Sequence, residues 1–391
     1  MTDALGLYVS IPFCKAKCSF CNFASGVFAA ERMQAYVDRV CAEISSAQAH
    51  AQRLGAPLPA HADSIYLGGG TPSLLSPELV HQLFAALRAN FAIDANAEVT
   101  VECAPGQLSP QTLDAMLAAG VNRPSFGVQS FIDRECAAVG RLHTGAEARA
   151  QLRSVSQAGI ARVSIDLIAG LLHQTFDSWR ETIQQAVDSG VEHVSVYMLE
   201  VDEDSRLGRE FLRGGARFGA AALPSGDRVA DWYSAACEWL ASAGIPQYEI
   251  SNFARPGGQS RHNRKYWQRQ PYLGFGMDAH SMLRDGPRGV RWANPDEMPG
   301  YLNGTPPAID HVSLEQSFEE AAFLGLRLVE GISLPALRAE FGSALVDSMM
   351  DGLRDSQDAD LLIIDADRLK LTDHGRMVSN EVFERLLCTT A

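Results

Sequence analysis

Residues 14–21 read CKAKCSFC, which places Cys14, Cys18 and Cys21 in the pattern C-x3-C-x2-C behind a short apolar run. Clustered thiolates suit iron–sulfur centres or zinc. Structural zinc sites usually draw their ligands from two C-x2-4-C pairs, and this chain holds no second pair. An all-protein [4Fe–4S] cluster takes four thiolates, so three leave one iron open to an outside ligand. An open metal position is where a small molecule can bind and be polarised. Phe13, Phe20 and Phe23 stand ready to keep water from such a cluster, and Lys15 and Lys17 to offset the thiolate charge. Zinc with a distant fourth ligand is the alternative. The other cysteines, Cys41, Cys103, Cys136, Cys237 and Cys388, are scattered and read as small packing residues.

Something must hold that loop in place. Six β-rich runs recur, LYVSI (7–11), SIYLG (64–68), EVTVE (98–102), PSFGV (124–128), VSIDLI (163–168) and HVSVYML (193–199), with amphipathic helical stretches between them. The order predicts βα units and a parallel sheet. Six such units fit an incomplete barrel better than a doubly wound sheet, and in either fold ligands gather at the carboxyl ends of the strands. The cysteine loop, Gly68 to Thr71, Glu102, Gln129 and Asp166 all fall at those ends. The run LGGGTP (67–72) lacks the lysine of a phosphate-binding loop, but its glycines let backbone approach a ligand closely. The segment RPGGQSRHNRKYW (255–267) reads as irregular and polar. After about residue 308, three helices and the hairpin LLIIDADRLKL outline a winged-helix-like module.

The chain has 391 residues, 46% of them apolar and 20% charged, an ordinary globular balance with room for more than one domain. A net charge of −14 works against nucleic acid as a partner and against anionic membrane surface. The N-terminal MTDALGLYVSIPFC has no basic leader region, and its apolar run is too short to span a bilayer, so the expected location is the cytoplasm.

The cysteine loop behind a first strand resembles the radical S-adenosylmethionine (SAM) superfamily. The resemblance implies that SAM chelates the open iron, and that an electron from the cluster cleaves it to a 5′-deoxyadenosyl radical. A wider resemblance covers nearly the whole chain. YVSIPFCKAKCSFCNF, GGGTPSLLSPE, VECAPG, FGVQSF, DLIAGLLHQT, HNRKYW and LGLRLVEGI are together similar to the oxygen-independent coproporphyrinogen III oxidase family, and within it to the HemW-type heme chaperone branch. It implies an α/β fold: a partial (β/α)6 radical SAM barrel over residues 1–225, a barrel-covering segment over 226–308, and a C-terminal α+β winged-helix-like domain over 309–391. It also implies that Tyr8, Gly69 and Glu102 contact cluster-bound SAM. Phe20, Gly70, Thr71, Gln129, Arg141 and Asp166 match positions that line a second SAM site in the oxidase branch. From the residues alone, Glu102 and Asp166 read first as rim carboxylates satisfied by Arg123, Arg141 or backbone amides, and the resemblance reverses that order.

Two positions separate the branches. Oxidases of the family carry a further cysteine two residues beyond the third, where this chain has Phe23. His262, Asn263, Tyr266 and Trp267 supply the HNxxYW pattern of the chaperone branch. A neutral imidazole suits heme iron and aromatic faces suit a porphyrin, so His262 is the expected heme contact, with a loop-bonding histidine as the alternative. Ser260 stands where related chains often carry a cysteine. The expectation is a heme chaperone that binds heme, a [4Fe–4S] cluster and SAM and passes heme to an acceptor protein. Any membrane contact would be peripheral, through the acceptor. The alternative is a coproporphyrinogen III oxidase.

Overall fold

The structure, a computed structural model, describes residues 4–387; Cys388 lies outside them. Strands β1 (Leu5–Ile11), β2 (Ala62–Gly69), β3 (Ile93–Cys103), β4 (Arg123–Gln129), β5 (Ser164–Ala169) and β6 (His193–Met198) lie side by side in chain order, all parallel. These are the six predicted runs, joined by the predicted crossover helices. The helices Pro77–Asn90 and Pro110–Ala118 each open on proline behind a serine whose hydroxyl caps a backbone N–H, Ser76 to Leu79 and Ser109 to Thr112.

Side chains alternate along the strands with a period of two. Val99, Val101, Phe126, Val128, Ile165, Leu167 and Val194 join the apolar core under the helices. The residues between them, Thr100, Glu102, Ser125, Gly127, Ser164, Asp166, His193 and Ser195, line the concave side. The concave side of this partial barrel is therefore polar and hollow, while its convex side supplies the packing that holds the fold.

Residues 226–308 do more than cover the barrel. They add β7 (Gln247–Glu249) and β8 (Asn252–Ala254) beyond β6, and β9 (Tyr272–Phe275), β10 (His280–Asp285) and β11 (Arg288–Ala293) beyond β1. With β12 (Ala308–Val312) the sheet reaches 12 strands. The run 255–267 is not irregular throughout, because Arg261–Trp267 is a helix capped by the Ser260 hydroxyl. The C-terminal module has its own core around Phe318, Leu326, Phe341, Val346 and Leu369. Its three strands, β13 (Ile332–Ser333), β14 (Leu362–Asp365) and β15 (Arg368–Leu371), are antiparallel, and the expected hairpin is β14–β15, turning at Ala366. A last helix, Ser379–Leu387, was not legible in the sequence pattern. Among the described residues no helix is long and apolar enough to cross a membrane.

Candidate functional site

One cavity of about 820 Å³ opens at the carboxyl ends of the parallel strands, and Cys14, Cys18 and Cys21 all stand on its wall. Each sulfur has a polar hydrogen close by. Thr71 Oγ1 lies 3.8 Å from Cys14, Arg141 Nη1 lies 3.6 Å from Cys18, and Ser25 Oγ lies 3.8 Å from Cys21. Thr71 and Arg141 donate toward Cys14 and Cys18, and Ser25 and Cys21 share a hydrogen; hydrogen bonds to sulfur, one of them here cationic, tune a thiolate-held cluster. Among the described residues no three His, Cys, Asp or Glu side chains converge on one point as a single ion would need. All three thiols line the one cavity, and a cubane takes one thiolate per iron.

The loop is pinned by backbone bonds. Cys14 N donates to Gly26 O at 2.9 Å, Gly26 N to Pro12 O at 2.9 Å, and Ser19 N to Val139 O at 3.0 Å. The glycine run fits closely beside it. Gly70 N donates to Ile11 O at 2.9 Å, and a Cβ there would come within 2.8 Å of the Ile11 and Phe13 carbonyl oxygens. Gly69 sits at φ +101, a conformation closed to most side chains. Any larger residue at either position would push the glycine run away from the cysteine loop.

Glu102 ends β3 inside the cavity. Its carboxylate accepts from Tyr66 OH at 2.8 Å and from Gly69 N at 3.1 Å. Burial, and then the nearby Asp166 carboxylate, push its pKa up to about 7. Asp166, inside β5, is raised to about 6 by burial, partly offset by the Ser195 hydroxyl and the Arg141 guanidinium. Arg123 is committed elsewhere, to Glu98 at 3.1 Å, with both side chains about 1% exposed. Of the partners anticipated for the two rim carboxylates, Arg141 and a backbone amide serve, and Arg123 does not.

Phe20, Gly69, Gly70, Thr71, Gln129 and Arg141 line the same cavity as the thiols and the two carboxylates. Gln129 sits at φ +66, and its buried Oε1 has no hydrogen-bond partner among the described residues. Tyr8 stands behind the wall. Its ring stacks on Tyr66 at 6.0 Å, and its hydroxyl lies 3.6 Å from where a Cβ on Gly69 would be.

His262 is placed differently from the expectation that it contacts heme. It is buried and off the cavity wall, with Nδ1 3.0 Å from Ser64 Oγ and Nε2 2.9 Å from Tyr266 OH. Burial, and then Lys265, hold its pKa down at about 3, so the ring is neutral. Both ring nitrogens are engaged, and neither can meet heme iron in this conformation. The ring instead packs 5.3 Å from Tyr66 and 6.5 Å from Tyr8.

Sequence reasoning missed several wall residues. Tyr66 and Ser195, which hold the two carboxylates, carry no motif, and only the period-two alternation of their strands places them inward. Arg327 and Arg376 of the C-terminal module close the far side of the cavity from more than 100 residues downstream, which no local pattern encodes.

An open parallel barrel with a three-cysteine loop at its mouth defines the radical SAM class. Residues 8–186 match the Radical SAM superfamily and residues 312–378 match the HemN C-terminal domain. Over 384 residues the chain is 30% identical to heme chaperone HemW of Lactococcus lactis subsp. lactis, covering 97% of this chain and 96% of that one. It is 31% identical to heme chaperone HemW of Escherichia coli K12, covering 98% of both chains. The fold is that of coproporphyrinogen III oxidase (HemN) from Escherichia coli, with a TM-score of 0.82 at 24% identity over 98% of this chain and 90% of that one. The chain belongs to the HemW heme chaperone family.

Proposed function

We propose that this protein binds heme and passes it to an acceptor protein, using a barrel that holds a [4Fe–4S] cluster and SAM. The observation that carries the reading is a trio of thiols on one cavity wall, each with a hydrogen-bonding group beside it. Cys14, Cys18 and Cys21 would hold the cluster, which when bound supplies a one-electron donor and an open iron for the amino and carboxylate groups of SAM. The chain's own residues then have defined tasks. Glu102, steadied by Tyr66 and Gly69, presents acceptors for ribose hydroxyls, and Gly69 and Gly70 bring backbone polar groups close. Phe20 keeps water from the cluster. Thr71, Gln129, Arg141 and Asp166 leave polar room for a second ligand.

The heme-transfer reading is supported by full-length similarity to heme chaperones and by Phe23, which stands where the oxidases carry a further cysteine. The barrel to about residue 225 would carry the cofactors, residues 226–308 would close it, and residues 309–391 would cover its far side. We place the protein in the cytoplasm, with contact to a membrane only through its acceptor and none with nucleic acid. A second reading, coproporphyrinogen III oxidase, is favoured by the unpartnered Gln129 amide oxygen in a cavity roomy enough for more than one ligand. One pair of assays decides between them. Hemin added to the cluster-loaded protein should give a saturable Soret shift, and coproporphyrinogen incubated with reduced protein and SAM should stay unconverted. Conversion without hemin binding would assign the oxidase activity instead.

A further inference from the structure

Tyr8, Tyr66 and His262 form a stack of three rings between the cavity and the helix Arg261–Trp267. The two tyrosine rings are 6.0 Å apart, and the His262 ring lies 6.5 Å from Tyr8 and 5.3 Å from Tyr66, tilted 30° to each. Both tyrosines turn their hydroxyls toward the groups that the family resemblance gives to SAM. Tyr66 OH donates to Glu102 Oε1 at 2.8 Å, Glu102 Oε2 accepts from Gly69 N at 3.1 Å, and Tyr8 OH stands beside Gly69. His262 is the ring behind them. It is 1% exposed and held from two sides, by Tyr266 and by Ser64, which precedes Tyr66 by two residues on the same face of β2. The stack has no slack: a Cβ on Gly68 would come within 2.9 Å of Tyr66 Cε1, and one on Gly6 within 3.3 Å of His262 Cε1. Rings packed this closely transmit displacement, because a protein interior is dense and barely compressible.

We infer that Tyr66 and His262 are positioning residues of the SAM site: Tyr66 aims the Glu102 carboxylate, His262 backs the Tyr66 ring, and the HNxxYW helix is thereby coupled to SAM. This rests on the chaperone reading for heme and on the place of SAM beside Glu102. The coupling has a sign. A macrocycle cannot reach a ring that is 1% exposed, so heme meets His262 only when the ring or its helix is drawn from its place behind Tyr66. Heme on this helix and SAM at Glu102 therefore disfavour each other, and each weakens the other by the same factor. SAM favours the backed form of His262, which is the form that lets heme go.

The test is SAM binding to the full-length, cluster-loaded protein by equilibrium dialysis. His262→Gln removes the ring and should weaken SAM about fivefold or more, the lower end of ordinary coupling between sites. Tyr66→Phe should weaken it as well. Adding His262→Gln to Tyr66→Phe should then cost little further, because the first change has already cut the link to Glu102. Hemin bound to the parent should weaken SAM, and SAM should weaken hemin equally, with both effects much reduced in Tyr66→Phe. Parent-like SAM binding in His262→Gln, or additive losses in the double variant, would overturn the inference. Opposition between hemin and SAM that persists undiminished in Tyr66→Phe would overturn it too, since that marks direct competition inside the cavity. A parent protein that takes up no hemin would overturn the chaperone reading, while the double variant still decides whether His262 acts through Tyr66. Cluster absorbance equal to the parent's in every variant excludes misfolding as the cause.

Discussion

Glu102 and Asp166 point into a lumen where charge is poorly solvated, and burial raises both, to about 7 and about 6. A neutral carboxyl suits that lumen. Its contribution to stability is complete below the ordinary values of 4.5 and 3.8, and it is lost as pH rises through about 6 and about 7. Cofactor-free protein should therefore be less stable, and unfold at lower temperature, at pH 8 than at pH 5, the loss for the pair being about 4 kcal/mol. Asp166→Asn removes one titrating group and lessens the field on the other, so the pH dependence of that variant's melting should be shallower, the part that burial of Glu102 causes remaining. An equally steep dependence in the variant would show that other groups control it. The position of Glu102 was legible, because strand ends carry function in such sheets, whereas Asp166 lies inside β5, short of the end where the sequence reading put it. Their partners were not, since Tyr66 and Ser195 reach them from neighbouring strands.

The helix Arg261–Trp267 shows why the HNxxYW element resisted a sequence reading. It is seven residues long, too short for a periodic pattern, and its first turn is satisfied from far away in the chain. The Glu98 carboxylate accepts from Ser260 Oγ at 3.2 Å, Arg261 N at 3.0 Å and His262 N at 2.9 Å, while Arg123 Nε sits 3.1 Å away. Arg123 Nη2 reaches on to Gly258 O at 2.9 Å. A buried ion pair thus fastens the helix to the barrel and sets His262 against Tyr8 and Tyr66. Arg123→Met should cost about 3 kcal/mol, because it leaves a buried carboxylate without its counter-charge. The midpoint of urea unfolding reads this, and a midpoint equal to the parent's would remove the fastening from the account. Strands β9 to β12 escaped notice for a related reason. Tyr272–Phe275 is only four residues long, and the Gly276 that follows sits at φ +96, so the run carries no strand-length pattern.

At the scale of the molecule, the barrel and the C-terminal module are joined by charge and by backbone. Arg269, 4% exposed, faces Glu320 at 3.5 Å and Glu340 at 3.8 Å, and Arg264 meets Glu330 at 2.9 Å. Ile250 N donates to Arg327 O at 3.1 Å, and Val329 N donates to Tyr248 O at 3.0 Å. The junction places Arg327 and Arg376 on the cavity's far wall. Arg269→Ala should loosen it, raising amide hydrogen exchange across 314–341 while β1 keeps its protection. Uniform exchange in both regions would mean that the two modules open as one unit. The six-strand order and the winged module were readable from repeated strand–helix alternation and from a hairpin signal. The way residues from both modules share one cavity was not, because it depends on contacts between distant segments.

The central claim is that three thiolates leave one iron open for SAM. Electron paramagnetic resonance of the anaerobically reconstituted, reduced protein tests it most directly. The spectrum of the reduced cluster should change when SAM is added, and Cys18→Ala should show no cluster signal at all. A spectrum indifferent to SAM, or an intact cluster in Cys18→Ala, would contradict the account.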